Sequence, residues 1–249
     1  MNVLVTAGNT KVLIDRVRCL TNIFTGRTGT AIALHAHQRG HDVTFLTSRP
    51  EVIAEMAHHG AGLTCRWSVR RYDTFADLNN LMAVCLGQTP PDVVIHSAAV
   101  SDYLSAGVYA PAPGTRFDAV QSRWESQHAP PALLDRAAAK VKSDDAELWL
   151  RLARAPKLID RVRPEWGFRG FLVKFKLEVG VSSAQLLEGA EQSRRQSAAD
   201  LMVANTLDDM GQHAYLGPLD GHYQRIDRAD LPRRLLDALE QMAKGKRDG

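Results

Sequence analysis

Apolar and polar positions along the chain follow two periods that take turns. Short runs rich in Val, Ile, Leu, Phe and Thr, at residues 3–7, 42–47, 63–69, 92–97, 148–152, 170–175 and 200–204, read as strands. Between them, residues 29–39, 51–59, 74–86 and 156–162 repeat their apolar positions at helical spacing, with Thr74 placed as an N-cap and Gly60 and Gly87 as closing glycines. Such alternation predicts an α/β protein built on a parallel sheet with helices on both faces. Near the C-terminus, "HAYLGPLDGHYQRID" reads as two short strands around a Pro/Asp/Gly turn, and "DLPRRLLDALEQMAKG" as a closing amphipathic helix with Asp230 as its N-cap.

Two stretches break the pattern. The first strand, "NVLVTAG", ends well before the glycine pair of "TGRTG", whereas in a dinucleotide fold the glycines follow that strand directly. "NTKVLIDRVRCLTNIFT" is therefore an insertion. Residues 104–139 carry four prolines and hold no clear element, which in a compact domain reads as a lid or binding segment, placed at about 104–142. With no internal repeat, the whole of 1–249 reads as a single domain.

Composition narrows the function classes. A formal charge of +3 over 249 residues is too small to argue for nucleic acid or a membrane surface. No apolar run approaches the roughly 20 residues that cross a bilayer. The cysteines Cys19, Cys65 and Cys85 have no metal-like spacing, and the chain begins on a strand; both point to a soluble, cytoplasmic protein. His35, His37, His58 and His59 have no partner at ligand spacing and read as solvated helix faces, so no metal site is expected.

The candidate chemistry lies where strands end. Gly26 and Gly29 open a helix whose N–H groups and dipole suit an anion; tight packing on the sheet is an equally good account. Arg18 and Asn22, on the insertion, offer a planar donor fork and an amide, and as readily pin the loop itself. Ser97, Ala98 and Ala99 close the fourth strand with small side chains, leaving room at the sheet edge where ligands of open α/β sheets bind. Asp102 follows, suited to a ribose hydroxyl, a metal-bound phosphate or a plain turn. Lys140 and Lys142 end the Pro-rich stretch; a mobile lysine there suits a triphosphate. Phe175, followed by Glu178, and Asn205 sit at later strand ends, where stacking and hydrogen bonding compete with core packing and turn formation as explanations.

Taken in order, "TAGNT", "IDRVRCLTN", "TGRTG", "HSAAVSDY", "KVKS", "RAPKLID", "KFKLE" and "ADLMVAN" resemble phosphopantothenoylcysteine synthetase over nearly the whole chain. The nearer likeness is to the stand-alone form, since "FKLE" replaces the "GFAAE" of fused bacterial proteins. The resemblance implies a three-layer, Rossmann-like, doubly wound fold and a homodimer. It also implies a ligase that activates 4'-phosphopantothenate with CTP or ATP and magnesium, then joins it to cysteine, with a separate phosphopantothenoylcysteine decarboxylase in the pathway. By motif, Asn22, Arg18 and Lys140 take the catalytic places, and Asn22, Arg18, Ala98, Ala99 and Asp102 hold the substrate. Gly8, Thr25, Gly26, Gly29, Ser97, Ala98, Ala99, Asp102, Phe175 and Asn205 take the nucleotide.

Some positions depart from that pattern. Asn9 stands where a second glycine is usual, and Ser193 and Ser197 stand where fused bacterial members carry two lysines, with Arg194 and Arg195 as nearby replacements. These departures leave CTP against ATP open. They also keep in play a non-catalytic nucleotide sensor on the same fold. An NAD(P)-dependent oxidoreductase of the short-chain kind is the other alternative; it lacks a Tyr-x-x-x-Lys pair and an acid after the second strand, where the chain reads "TSRP".

Overall fold

The computed structural model describes residues 1–57, 66–127 and 130–247. In chain order its first half comprises β1 (Asn2–Ala7), β2 (Lys11–Leu13), β3 (Cys19–Thr21), α1 (Arg27–Gln38), β4 (Asp42–Thr47), α2 (Glu51–Met56), β5 (Trp67–Arg71), α3 (Phe75–Gln88) and β6 (Val93–His96). There follow β7 (Tyr103–Pro111), β8 (Thr115–Asp118), β9 (Arg123–Ser126), β10 (Leu133–Asp135), β11 (Trp149–Arg154), α4 (Leu158–Arg161) and β12 (Phe171–Glu178). The chain closes with α5 (Ser183–Gln196), β13 (Leu201–Thr206), β14 (His213–Leu219), β15 (His222–Asp227) and α6 (Leu231–Arg247). These elements form two compact units, one of Met1–Thr10, Ile23–Val100 and Lys157–Gly249, the other of Lys11–Asn22 and Ser101–Pro156.

The first unit is an eight-stranded sheet in the order β15-β14-β13-β12-β6-β1-β4-β5. The six strands from β13 to β5 pair in parallel, and the β14–β15 hairpin adds an antiparallel edge. Alternation along each strand divides the core. Val3, Val5 and Ala7 of β1, Val93 and Ile95 of β6, Val173 of β12 and Leu201 and Val203 of β13 pack on the apolar faces of α1 and α6. On the opposite face Met202 and Ala204 of β13 meet Leu186 and Ala190 of α5. Thr74 caps α3 in a reciprocal box with Asp77. At the hairpin turn Asp220 and Gly221 both take positive φ, which the Asp-Gly pair tolerates. The expected α/β fold, with its mostly parallel sheet and C-terminal hairpin, is what this unit shows. Asp230 ends a 3-10 turn directly before α6 and accepts from Arg233.

The second unit corrects the reading of 104–139 as a stretch without elements. It holds a three-stranded antiparallel sheet in the order β10-β7-β11 and the hairpins β2–β3 and β8–β9. Ser105, Ala106 and Gly107 leave β7 without an apolar alternation to betray it, and its partners are β10 on one side and β11, 40 or more residues away, on the other. Of residues 148–152, expected as a strand of the parallel sheet, 149–152 belong to β11 here. Phe117, Trp124 and Trp149 make the unit's aromatic cluster, with ring centroids 4.6–5.2 Å apart.

Smaller differences follow from local packing. Gly87 lies inside α3, which runs on to Gln88. α2 ends at Met56, so His58, His59 and Gly60 lie outside the described residues, as does the start of the strand expected at 63–69. α5, with its Ser182/Gln185 capping box, is a helix that the alternation did not single out. His35 and His37 are half-buried rather than solvated, and His37 packs edge-on against Trp67. No described helix is long and apolar enough to cross a membrane.

Candidate active site

In the first unit, chemistry gathers at the C-terminal ends of β1 and β6. Gly8 leaves β1 at φ +93°, where a Cβ would run into the Ser48 side chain. The Ser97 N–H donates to Thr6 O at 3.1 Å and the Ala98 N–H to Thr6 Oγ1 at 3.3 Å. The Ala99 N–H donates to Gly8 O at 2.8 Å, and the Thr10 N–H returns a bond to Ala99 O at 3.3 Å. Together these bonds join the turn after β1 to the turn after β6. Asn9, the departure from the glycine pattern, is buried; its N–H donates to Ser48 Oγ and its Oδ1 accepts from the same hydroxyl. The buried Tyr72 hydroxyl donates to Ala7 O at 2.7 Å and closes the set from β5's side.

The opening of α1 is packed onto those turns. Gly26 caps the helix in a left-handed conformation with no side-chain cap bond, and a Cβ there would come within 2.8 Å of Gly8 Cα. A Cβ on Gly29 would lie 2.6 Å from Ala7 Cβ and 2.8 Å from Ser97 Oγ. Both glycines therefore serve close approach, and the first-turn N–H groups keep no side-chain acceptor from the cap. Arg228 donates to Thr28 Oγ1 in that turn, and burial lowers the pKa of its guanidinium. Glycine turns, open amides and a half-buried cation make an electropositive end suited to an anion. Thr25 is exposed just before the cap.

Phe175 and Asn205 lie on the α1 face of neighbouring strands, Phe175 opposite Val203 and Asn205 opposite Leu177. Phe175 packs against the main core and Asn205 is buried. On the reverse face His96 and Lys174 are register partners on β6 and β12. Thr6 Oγ1 and His96 Nδ1 lie 2.9 Å apart, and burial with the Lys174 charge pushes the imidazole down to about 4. Lys174 Nζ donates to Ser197 Oγ at 2.5 Å and to Ser193 O at 3.1 Å, and Ser197 Oγ donates to Asp160 Oδ1 at 2.6 Å.

Sequence reasoning missed this network. Arg194 and Arg195, expected to compensate for Ser193 and Ser197, both bind Glu191, and Arg194 also donates to Ala199 O. The Arg194 fork is occupied and Arg195 is bonded to Glu191 through Nε, while Lys174 is the cation bonded at the two serines. The signal was present in "VKFKLE", where Lys174 stands on the same strand face as Lys176 and Glu178.

In the second unit Arg18 donates from Nε and Nη2 to Asp15 Oδ2 at 3.1 and 2.7 Å, and from Nη2 to Val141 O at 2.7 Å. The fork that the sequence offers to a ligand carboxylate is thus largely spent inside the unit, leaving Nη1. Asn22 follows β3 and is half-buried. Lys140 is exposed beside a cavity of about 320 Å³ lined also by Arg136, Val141, Lys142 and Asp145. Asp102 is exposed, and its carbonyl accepts from the Ala155 N–H at 2.8 Å. Among the described residues no group of three or more His, Cys, Asp or Glu side chains is arranged to hold a metal ion.

Residues 1–110 match the family model of the DNA/pantothenate metabolism flavoprotein C-terminal domain. Over those residues the chain is homologous to that domain. Across 245 residues it is 30% identical to the coenzyme A biosynthesis bifunctional protein CoaBC of Thermococcus kodakarensis, covering 96% of this chain and 51% of that protein. It spans about half the length of the curated relatives it matches. A solved DNA/pantothenate metabolism flavoprotein from Streptococcus pneumoniae superposes with a TM-score of 0.75 at 27% identity, over 97% of this chain and 99% of that one. The fold also matches that of a Cab2 variant in complex with phosphopantothenate-cysteine, with a TM-score of 0.63 at 17% identity over 98% of this chain and 88% of that one.

Proposed function

We propose that the protein is a phosphopantothenate–cysteine ligase of coenzyme A biosynthesis. The reading is carried by one observation, the joining of the Gly8 and Ser97–Ala99 turns under the uncapped start of α1, within the stretch homologous to that domain. Small residues and free amides at that edge suit a nucleotide's phosphates and an acyl-nucleotidylate. The Cab2 variant's phosphopantothenate-cysteine supports the same choice of substrates.

In the proposed reaction a carboxylate oxygen of 4'-phosphopantothenate attacks the α-phosphorus of CTP or ATP and pyrophosphate leaves. The amine of cysteine then attacks the acyl carbon, loses a proton and expels the nucleoside monophosphate. No covalent enzyme intermediate is required, so positioning and charge stabilisation supply the rate. Asn22 is assigned to the acyl-nucleotidylate by donating and accepting through its amide. Lys140 is assigned to the charge that develops on the phosphates. Gly8, Thr25, Gly26, Gly29, Ser97, Ala98 and Ala99 are assigned to nucleotide and intermediate, with Phe175 and Asn205 beside base and ribose. Arg18 keeps an assignment to substrate through Nη1 alone. Magnesium, bound to the nucleotide's phosphates, would supply electrophilic assistance, with Asp102 the carboxylate assigned to face it. The active form is assigned as a homodimer whose amide product passes to a separate phosphopantothenoylcysteine decarboxylase.

The test is amide formation with all three substrates, beside Lys140→Ala and Asn22→Ala. Each substitution is expected to lower turnover by about 10²–10³-fold, the cost of removing one preorganised donor. Unchanged turnover in both would remove the assigned roles. Oxidation of NADPH with carbonyl compounds, and no pyrophosphate release, would favour the oxidoreductase alternative instead.

A further inference from the structure

We infer that Asp15 is a positioning residue, which fixes the Lys140 segment by holding the backbone on both sides of that lysine. The inference rests on the ligase reading for the importance of Lys140, and on the second unit's geometry for everything else.

Asp15 lies in the turn between β2 and β3, and its side chain has no exposed surface. Oδ1 accepts the N–H groups of Val17 and Arg18, each at 2.8 Å, the ordinary work of a turn aspartate. Oδ2 does something a turn does not need. It accepts Arg18 Nε at 3.1 Å and Nη2 at 2.7 Å, and also the N–H of Val141 at 3.1 Å, 126 residues away along the chain. Arg18 Nη2 in turn donates to the carbonyl of Val141 at 2.7 Å. An Asp–Arg pair thus satisfies both backbone groups of Val141, as a neighbouring strand would, and the Val141 side chain is buried beneath. On the other side of Lys140, the Arg16 N–H donates to Ala139 O at 3.0 Å.

Lys140 is exposed, while the residues before and after it are both tied to the β2–β3 turn. A long, flexible side chain on a free loop would lose much of its effect through the entropy of ordering, and a backbone held at both neighbours removes that cost in advance. The Arg18 hydrogen bond and the three backbone donors keep the Asp15 carboxyl well below the usual carboxylate range, so the clamp is charged across neutral and mildly acidic pH.

Asp15→Asn tests this selectively. The amide oxygen can still receive the Val17 and Arg18 N–H groups, so the turn survives, whereas an NH2 group in place of Oδ2 faces the N–H donors of Arg18 and Val141. Hydrogen exchange of the segment around Val141, trypsin cleavage after Lys140 and Lys142, and steady-state kinetics are read together on the full chain. Exchange and cleavage are expected to rise tenfold or more, and kcat to fall at least tenfold with the KM for cysteine little changed. Arg18→Lys, which keeps the charge and loses the fork, is expected to fall between wild type and Asp15→Asn and serves if the first variant fails to fold. Lys140→Ala is expected to lower turnover by about 10²–10³-fold and leave exchange at Val141 as it was. Unchanged exchange in both clamp variants overturns the inference, as does faster exchange with undiminished kcat. A wild type with no ligase turnover overturns the ligase reading instead, and exchange alone then decides whether the clamp exists.

Discussion

Gly29 shows how one residue can be read two ways until its neighbours are known. As the start of a helix it suits a phosphate; as a position 2.6 Å from Ala7 Cβ and 2.8 Å from Ser97 Oγ once a Cβ is added, it suits close packing. Replacing it by alanine would gain about 1 kcal/mol in helix propensity and lose about 1–3 kcal/mol to overpacking against the sheet. The second effect should win, because Ala7 and Ser97 sit on strand ends that cannot retreat. Gly29→Ala is therefore expected to lower the unfolding free energy by up to about 2 kcal/mol in urea denaturation; an increase in stability would show that α1 can slide outward. The residues that chemistry singles out were legible in the sequence because small and polar types stood at strand ends. Arg18 stayed open to two readings for a physical reason. Sequence displays its five donors and hides that Asp15, three residues earlier, and Val141, far along the chain, accept from them.

Elements were legible where one period ran undisturbed and were lost where partners lay far away. The parallel strands of the first unit announce themselves as apolar runs, since both faces are covered. β7 carries a glycine, a proline and small residues, β10 is only three residues long, and they exist because β7 pairs with strands on both sides. The β6–β12 pairing supplies a further case. It brings His96 and Lys174 side by side on the face opposite α1, and neither spacing nor composition marks them as neighbours. With the folded imidazole pushed down to about 4 from an ordinary value of 6.5, the unfolded chain takes up a proton before the folded one does. Stability from this pair is thus fully present above pH 6.5 and is lost as pH falls toward 4, by about 2 kcal/mol between pH 6.5 and 5. Denaturant titrations at those two pH values should show that loss in the wild type and a flatter dependence in His96→Gln. Equal slopes would mean that another group dominates.

At the scale of the whole molecule, exposed apolar surface is unevenly shared. Among the described residues, Leu13, Val17 and Leu20 of the β2–β3 hairpin, Tyr103 of β7, Leu133 of β10 and Leu152 of β11 all belong to the second unit, and Val17 keeps 68% of its surface open. A single exposed leucine needs no explanation, but a small unit that leaves this many uncovered has the composition of a surface made to associate. A second copy of the chain is the proposed occupant, in keeping with the homodimer assigned to the ligase. If so, sedimentation at micromolar concentration should give twice the chain mass. The thermal midpoint should also fall on dilution, since each tenfold drop in concentration removes about 1.4 kcal/mol from a folded dimer in equilibrium with unfolded chains. Leu13→Glu with Leu20→Glu is the sharper arm. Both side chains are already exposed, at 52% and 44%, so a carboxylate there costs the single chain little, whereas burying two charges without partners against a second copy would be prohibitive. The double variant should sediment as a monomer while keeping its far-ultraviolet circular dichroism. A wild type that is monomeric at every concentration, with a midpoint independent of dilution, would leave those side chains without a second copy to cover them.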